Sequence, residues 1–475
     1  MENIIKTYEN FLIYYSISYI LIYLFLAILS WIAIRTYFQS KYFLLKEVLI
    51  KSNHTVGVSI VAPAFNEAVT IVYNVKSLLS QEYPKFEVVI INDGSTDDTL
   101  AILIEEFSLV KVDFFYQEKI PTQTLRGHYK STNPVYSKLL IVDKVNGKSK
   151  ADGSNAGINS AKYPLFICTD VDCILRKDTI SMLVKPFIEN TEKVIATGAA
   201  IRISNSCEFK DGMLYKSHFP TNFFARFQEL EYTRSYLFGR MAWSKINGLL
   251  LVSGGLGMFD KETVIQAGGY WHQSLGEDME LITRMRKLMH LKKEKFLIIY
   301  IPESLCWTEV PASMRIFIRQ RIRWARGLIQ TLYLHREVLF NPKYGKTGLL
   351  IFPYYLFYEL AVPVLETLGL IALLVNIMFF DINYHYLSIG SAFVYLFYIS
   401  ITLISVFLDQ LIYKHYTGMK EIIILILMVF IEPIIFHPLN VFASIQGYWH
   451  FLRQKERKWG IMIRKGFTTP QNQTL

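Results

Sequence analysis

Phe86-Glu87-Val88-Val89-Ile90-Ile91-Asn92-Asp93-Gly94-Ser95-Thr96-Asp97-Asp98-Thr99 is the stretch that decides the fold. A buried β-rich run breaks off into a loop dense in turn and helix-capping residues, and the helical pattern Leu100 to Phe107 follows. The same order occurs upstream, where Val58-Ser59-Ile60-Val61-Ala62-Pro63 passes through Ala64-Phe65-Asn66-Glu67 into a helical pattern that runs to Leu79. Downstream, Leu165 to Thr169 supplies another strand. Strand, loop and helix repeated in this way predict a parallel sheet that takes its ligands at the carboxyl ends of the strands. The polar segment Lys119 to Pro134, which also holds Pro121, is expected to leave the sheet rather than join it.

The 475 residues are 52% hydrophobic, too apolar for a wholly soluble protein. Phe11 to Ile34 is an uncharged run long enough to cross a bilayer, and without a strongly basic start or a small-residue cleavage site it reads as an uncleaved span. Glu2, Lys6 and Glu9 precede it, whereas Arg35, Lys41 and Lys46 follow, which places the amino terminus outside and the long central region in the cytoplasm. Gly348 to Phe380 and Leu387 to Leu408 read as further spans, joined by an external turn carrying Asp381. Glu432, Pro433, His437 and Pro438 interrupt Ile422 to Ile445, so either that element is broken, re-entrant or interfacial, or Gly348 to Phe380 holds an extra partial pass around Pro363. Arg453, Lys455, Arg457, Lys458, Arg464 and Lys465 argue for a tail on the cytoplasmic face of a multi-pass plasma-membrane protein. The expected division is a first span and juxtamembrane segment at 1–50, a cytoplasmic domain at 51–312, interfacial amphipathic helices at 313–346, further spans at 347–447 and a basic tail at 448–475.

The formal charge of +10 sits largely beside the apolar runs, which suits lipid headgroups and a phosphorylated substrate rather than nucleic acid. Cys168, Cys173, Cys207 and Cys306 all fall in the central region and read as reduced, buried small hydrophobes, because nothing nearby completes a zinc set.

Asp170 and Asp172 end the run Pro164-Leu165-Phe166-Ile167-Cys168-Thr169, where paired carboxylates can hold Mg²⁺ or Mn²⁺ against a diphosphate; a solvated turn is the plain alternative. Asp93, also at a strand end, is placed either to accept a base N–H or to cap the next helix. Lys150-Ala151-Asp152-Gly153-Ser154-Asn155-Ala156-Gly157 reads as a glycine-bearing loop with a cation and a further carboxylate. Ser253-Gly254-Gly255-Leu256-Gly257 lets backbone lie against a substrate or simply turns. Gly276-Glu277-Asp278 introduces the helix Met279 to Met289, and capping alone is a sufficient reason for its carboxylates. From Met314 to Leu339, arginines interleave with apolar residues as in a helix lying flat on the inner leaflet. Gln320, Arg323 and Trp324 share one turn of it and offer a phosphate clamp and a flat face for a sugar ring.

Taken in order, the motifs from about Val56 through Leu339 resemble those of the membrane-embedded, processive family 2 glycosyltransferases, the group holding cellulose, hyaluronan, chitin-oligosaccharide and poly-N-acetylglucosamine synthases. The resemblance implies an α/β GT-A-like cytoplasmic domain with a mostly parallel sheet, an α-helical transmembrane region, and an inverting hexosyltransferase that uses a UDP-sugar with Mg²⁺ or Mn²⁺. By position it implies that Asp93, Lys150, Asp152, Asp170 and Arg323 hold the UDP part, and that Asp172 with Asp170 is the metal set. It makes Asp278 the base on the acceptor hydroxyl and sets Gln320, Trp324, Gly276 and Glu277 against the acceptor. The implied acceptor is a growing polysaccharide exported as it is made, with membrane lipids around the chain and room for an accessory secretion protein. Addition of one sugar to a membrane lipid, as ceramide glucosyltransferases do, is the alternative. Two departures stand out: Lys148 and Ser149 are extra residues before Asp152, and Ser154 stands where the family usually has Leu. Glu359, Glu366 and Glu432 within the apolar runs also suit a transporter or receptor that only binds nucleotide.

Overall fold

The computed structural model describes residues 2–40, 55–210, 213–379, 384–416 and 418–455. Lys41 and Lys46, the turn with Asp381, and the tail with Arg457, Lys458, Arg464 and Lys465 lie outside the described residues. Two compact units form, one from Thr36–Thr221 with Asn247–Val310 and one from Met1–Arg35, Asn222–Ile246 and Pro311–Glu456. Asn222–Ile246, inside the continuous segment expected at 51–312, therefore groups with the apolar helices.

The first unit is built on a ten-stranded sheet in the order Leu109–Val112, Leu125–Ser131, Leu139–Lys144, Phe86–Asn92, Val58–Ala64, Leu165–Thr169, Leu256–Asp260, Lys193–Ile203, Phe296–Thr308 and Ile174–Leu175. From Leu139–Lys144 through Leu165–Thr169 the strands run parallel, with Val58 opposite both Phe86 and Leu165. Strands covered on both faces need near-continuous apolar runs, and Ile60, Val88, Ile90, Ile141 and Ile167 are fully buried. Because these strands share a direction, Ala64, Asn92, Lys144 and Thr169 end at one edge, where ligands of such sheets bind.

The chain at Leu125–Ser131 does not leave the sheet, contrary to expectation, but pairs antiparallel with Leu109–Val112 and Leu139–Lys144. Next to the sheet edge a strand is only half covered, so exposed Arg126 and Lys130 flank buried His128, and Pro121 precedes the ladder without breaking it. The stretch read as a loop from Lys150 is a helix, Lys150–Ser160, capped by the Ser149 hydroxyl. Its glycines serve packing: a Cβ on Gly157 would lie 2.4 Å from Val61 Cγ1 and 2.6 Å from Ile91 Cδ1, so the helix rests directly on the sheet.

Four stretches among the described residues are long and apolar enough to cross a membrane: Asn10–Gln39, Thr347–Phe379, Leu387–Tyr413 and Met419–Leu452. Met419–Leu452 is one helix that runs through Pro433 and Pro438, so the prolines do not break it. Thr347–Phe379 holds no extra pass around Pro363; it stays helical, widening into π-helical turns at Thr347–Ile351 and Tyr355–Leu360. Glu432 is fully buried and fully engaged, its two oxygens accepting from Arg234 Nη1 and Nη2 at 2.9 Å each and from Tyr398 Oη at 2.9 Å. Arg234 also donates to Thr402 Oγ1 at 2.8 Å, so Glu432 clamps helices together and gives no support to an open transport path. Arg234→Leu is expected to cost about 3–5 kcal/mol, because it strands a buried carboxylate among apolar helices. The double change Arg234→Leu with Glu432→Leu should recover most of that loss. Thermal melting of the purified variants in detergent checks both.

Candidate active site

Asp93 follows the strand Phe86–Asn92 and is 6% exposed. Beside it Lys144, the buried last residue of the neighbouring strand, donates to Asp93 Oδ1 at 2.6 Å and pairs also with Asp152 Oδ2. Gly147 N donates to the same Asp93 oxygen at 3.0 Å, and Gln123 N donates to Asp152 Oδ1 at 3.1 Å. One cation between two carboxylates leaves a pocket with a net negative charge, suited to accept N–H groups from a ligand. Burial pushes the Asp93 carboxyl up, against the opposing pull of Lys144 and Gly147. The capping alternative for Asp93 fails, because Asp97 Oδ1 accepts from Thr99 N at 3.1 Å where the next helix, Thr99–Glu106, begins.

The helix Lys150–Ser160 carries Asp152 to that pocket and Lys150 to a second group of charges. Lys150 Nζ pairs with Asp170 Oδ1 at 2.5 Å and donates to Gly254 O at 2.7 Å. Gly254 N in turn donates to Asp278 Oδ2 at 3.2 Å, while Met279 N donates to Asp278 Oδ1 at 2.8 Å. A Cβ on Gly254 would lie 3.3 Å from Lys150 Nζ, 3.6 Å from Asp278 Oδ2 and 3.9 Å from Glu277 Oε1, so the glycine is the hub around which these side chains gather. Burial works against the Lys150 cation, but the carboxylates of Asp170 and Glu277 outweigh it and hold the ammonium charged. Gly276 caps the helix Glu277–Lys292, which starts before the expected Met279 and so sets Glu277 and Asp278 in its first turn.

Asp170, Asp172 and Cys173 bring ligand atoms within 4.8 Å of one another, on a turn closed by Cys173 N donating to Asp170 O at 3.0 Å. Two carboxylates and a thiol so spaced fit one divalent cation in size and charge. Asp170 Oδ1 is already paired with Lys150 Nζ at 2.5 Å, so the group lies against a cation of the protein's own.

Gln320, Arg323 and Trp324 lie on the helix Met314–Leu334, in the other compact unit. Arg321, assigned from sequence to the leaflet-facing pattern, is instead 6% exposed and donates through Nη1 and Nη2 to Glu231 Oε1 and Oε2 at 2.6 Å each. Its guanidinium lies 4.2 Å from the centre of the Trp324 ring, which is thus braced from beneath while remaining part-exposed. Two engaged residues escaped the sequence reading: Lys144 sits singly at the end of an apolar run, and Arg321 is hidden among equivalent arginines.

The family described as "Glycosyl transferase family 2" matches residues 59–118, and the one described as "Glycosyltransferase like family 2" matches residues 131–327. The chain is 28% identical over 327 residues to a poly-beta-1,6-N-acetyl-D-glucosamine synthase of Staphylococcus epidermidis, covering 67% of this chain and 65% of that one. It is 25% identical over 325 residues to the synthase of the same name from Staphylococcus aureus strain COL, with the same coverage. The chain thus matches slightly less than two thirds of the length of these relatives. Among solved structures, the mannosyltransferase PcManGT from Pyrobaculum calidifontis, in complex with GDP-Man and Mn²⁺, superposes with a TM-score of 0.55 at 18% identity, over 91% of this chain and 100% of that one. That likeness establishes a GT-A-like glycosyltransferase fold.

Proposed function

The chain is a family 2 glycosyltransferase, and from that premise we propose that it moves a hexose from a UDP-sugar to a growing polysaccharide at the inner face of the plasma membrane, inverting the anomeric carbon and exporting the chain. The names of its relatives favour N-acetylglucosamine as the sugar. The observation that carries the reading is the gathering of Lys150, Glu277 and Asp278 around Gly254, with Asp170 of the neighbouring carboxylate turn paired to Lys150.

Asp93 and Asp152 are assigned to the uridine, for which the pocket they share with Lys144 offers acceptors. Lys150 and Asp170 flank the diphosphate. In a single displacement the acceptor oxygen attacks C1 from the face opposite the departing UDP, and Asp278 takes the hydroxyl proton as the bond forms. The Gly254 and Met279 amides fix that carboxylate, and the negative charge is well placed in the first turn of Glu277–Lys292. A divalent cation, Mg²⁺ or Mn²⁺, held by Asp172 with Asp170 would neutralise charge on the leaving diphosphate. Gly276 and Glu277 are assigned to the acceptor by their place beside Asp278, whereas the roles of Gln320, Arg323 and Trp324 on the diphosphate and the acceptor sugar come from the motif alone.

Export draws support from the apolar unit. Tyr15 stacks on Tyr358 at 5.7 Å and Tyr358 on Tyr354 at 5.8 Å, and Tyr354 Oη donates to Glu359 at 3.0 Å. Aromatic faces with polar tips suit the passage of sugar rings. In proteoliposomes given UDP-glucose, UDP-N-acetylglucosamine or UDP-glucuronate, one donor, expected to be UDP-N-acetylglucosamine, should release UDP and build a polymer. A product extractable as a single lipid-linked sugar would transfer the acceptor role to lipid; no UDP release from any of the donors would remove the donor assignment.

A further inference from the structure

We infer that Cys173 is a protein ligand of the cation at the Asp170–Asp172 turn, a soft donor that tilts the site from Mg²⁺ towards Mn²⁺ and thiophilic ions such as Cd²⁺. The inference rests on the glycosyltransferase reading only in supposing that a cation binds there.

Geometry comes first. Cys173 Sγ and oxygens of both aspartates lie within 4.8 Å of one another, a span that ligands around one ion can occupy. A Cβ built on Gly255 would stand 3.6 Å from Cys173 Sγ and 3.7 Å from Asp170 Oδ2, so the thiol and the carboxylate border the same small space beside that glycine. Cys173 is fully buried and its backbone is fixed by the turn hydrogen bond to Asp170 O. Its sulfur therefore needs no rearrangement to serve.

The surroundings distinguish this thiol from an inert one. Cys207 shows the inert case, packed in an apolar cluster with Ile174, Phe209 and Trp307. Cys173 instead faces two carboxylates, a costly neighbourhood for a hydrophobe and a natural one for a ligand. Near it lies Cys306, whose Sγ donates to Gly255 O at 3.9 Å.

On binding, the Cys173 thiol loses its proton to solvent as the sulfur–metal bond forms, with no change in oxidation state. Hard carboxylates accept Mg²⁺ and Mn²⁺ alike, whereas sulfur favours the softer ion.

The test uses the full-length protein in detergent, reduced and without sugar donor. Cd²⁺ should bind with an ultraviolet thiolate-to-cadmium charge-transfer band that Mn²⁺ displaces at lower concentration than Mg²⁺. Cys173→Ser should abolish the band and weaken Cd²⁺ by at least about tenfold; Cys207→Ser should keep it, and Asp172→Asn should lose it although Cys173 is intact. A band that survives Cys173→Ser, or wild-type protein that shows none at saturating Cd²⁺, overturns the proposal, and the wild-type arm needs no variant to fold. An intact band in a protein that transfers no sugar would sink the functional reading and leave the ligand standing, so the two failures are separable.

Discussion

Asp278→Asn is expected to bind UDP as the parent does and to transfer sugar about 10²- to 10⁴-fold more slowly, the span that general-base catalysis supplies. The amide retains an oxygen to accept from Gly254 N or Met279 N, so the first turn of Glu277–Lys292 keeps its shape. It cannot take a proton at neutral pH. Calorimetric UDP affinity beside single-turnover transfer separates the two effects. Elongation at the parental rate would remove Asp278 from the base role, and lost UDP affinity would make it a donor-binding residue.

Lys144→Met should unmake the uridine pocket. It removes the cation between Asp93 and Asp152 while leaving both carboxylates buried, a loss of about 3–5 kcal/mol in stability together with UDP binding. The pH dependence has a definite sign. A carboxyl whose pKa is raised on folding, as that of Asp93 is, holds more protons folded than unfolded, so its contribution to stability falls as pH rises through the carboxylate range. Without Lys144 that slope should steepen, and adding Asp152→Asn should flatten it again. Melting temperatures across acid to neutral pH report the slope; a Lys144→Met protein as stable as the parent at neutral pH would show that the two carboxylates do not depend on the lysine.

The buried strands were legible because their apolar runs are unbroken; the strand end at Thr169 followed from them, and polar Asn92 extends the strand from Phe86 one residue past its apolar run. Asp93, Asp170 and Asp172 could be placed on the ligand-binding edge for the same reason. Leu125–Ser131 was not legible, since a half-covered strand near an edge tolerates Arg126 and Lys130 and so imitates a loop. The helix from Lys150 was hidden by its own glycines, which normally punctuate turns but here let the helix sit on Val61 and Ile91. Lys144 carried no signal, because its meaning arises only when two distant carboxylates close on it. Pro433 and Pro438 suggested a break that surrounding helices suppress.

A cryo-electron microscopy map of the protein with UDP and Mn²⁺ tests the central claim most directly. The account predicts the uracil against Asp93 and Asp152, the diphosphate beside Lys150 and the Asp170–Asp172 turn, and open space towards Asp278 for the sugar. A nucleotide bound away from the sheet edge that holds Gly254 would contradict it.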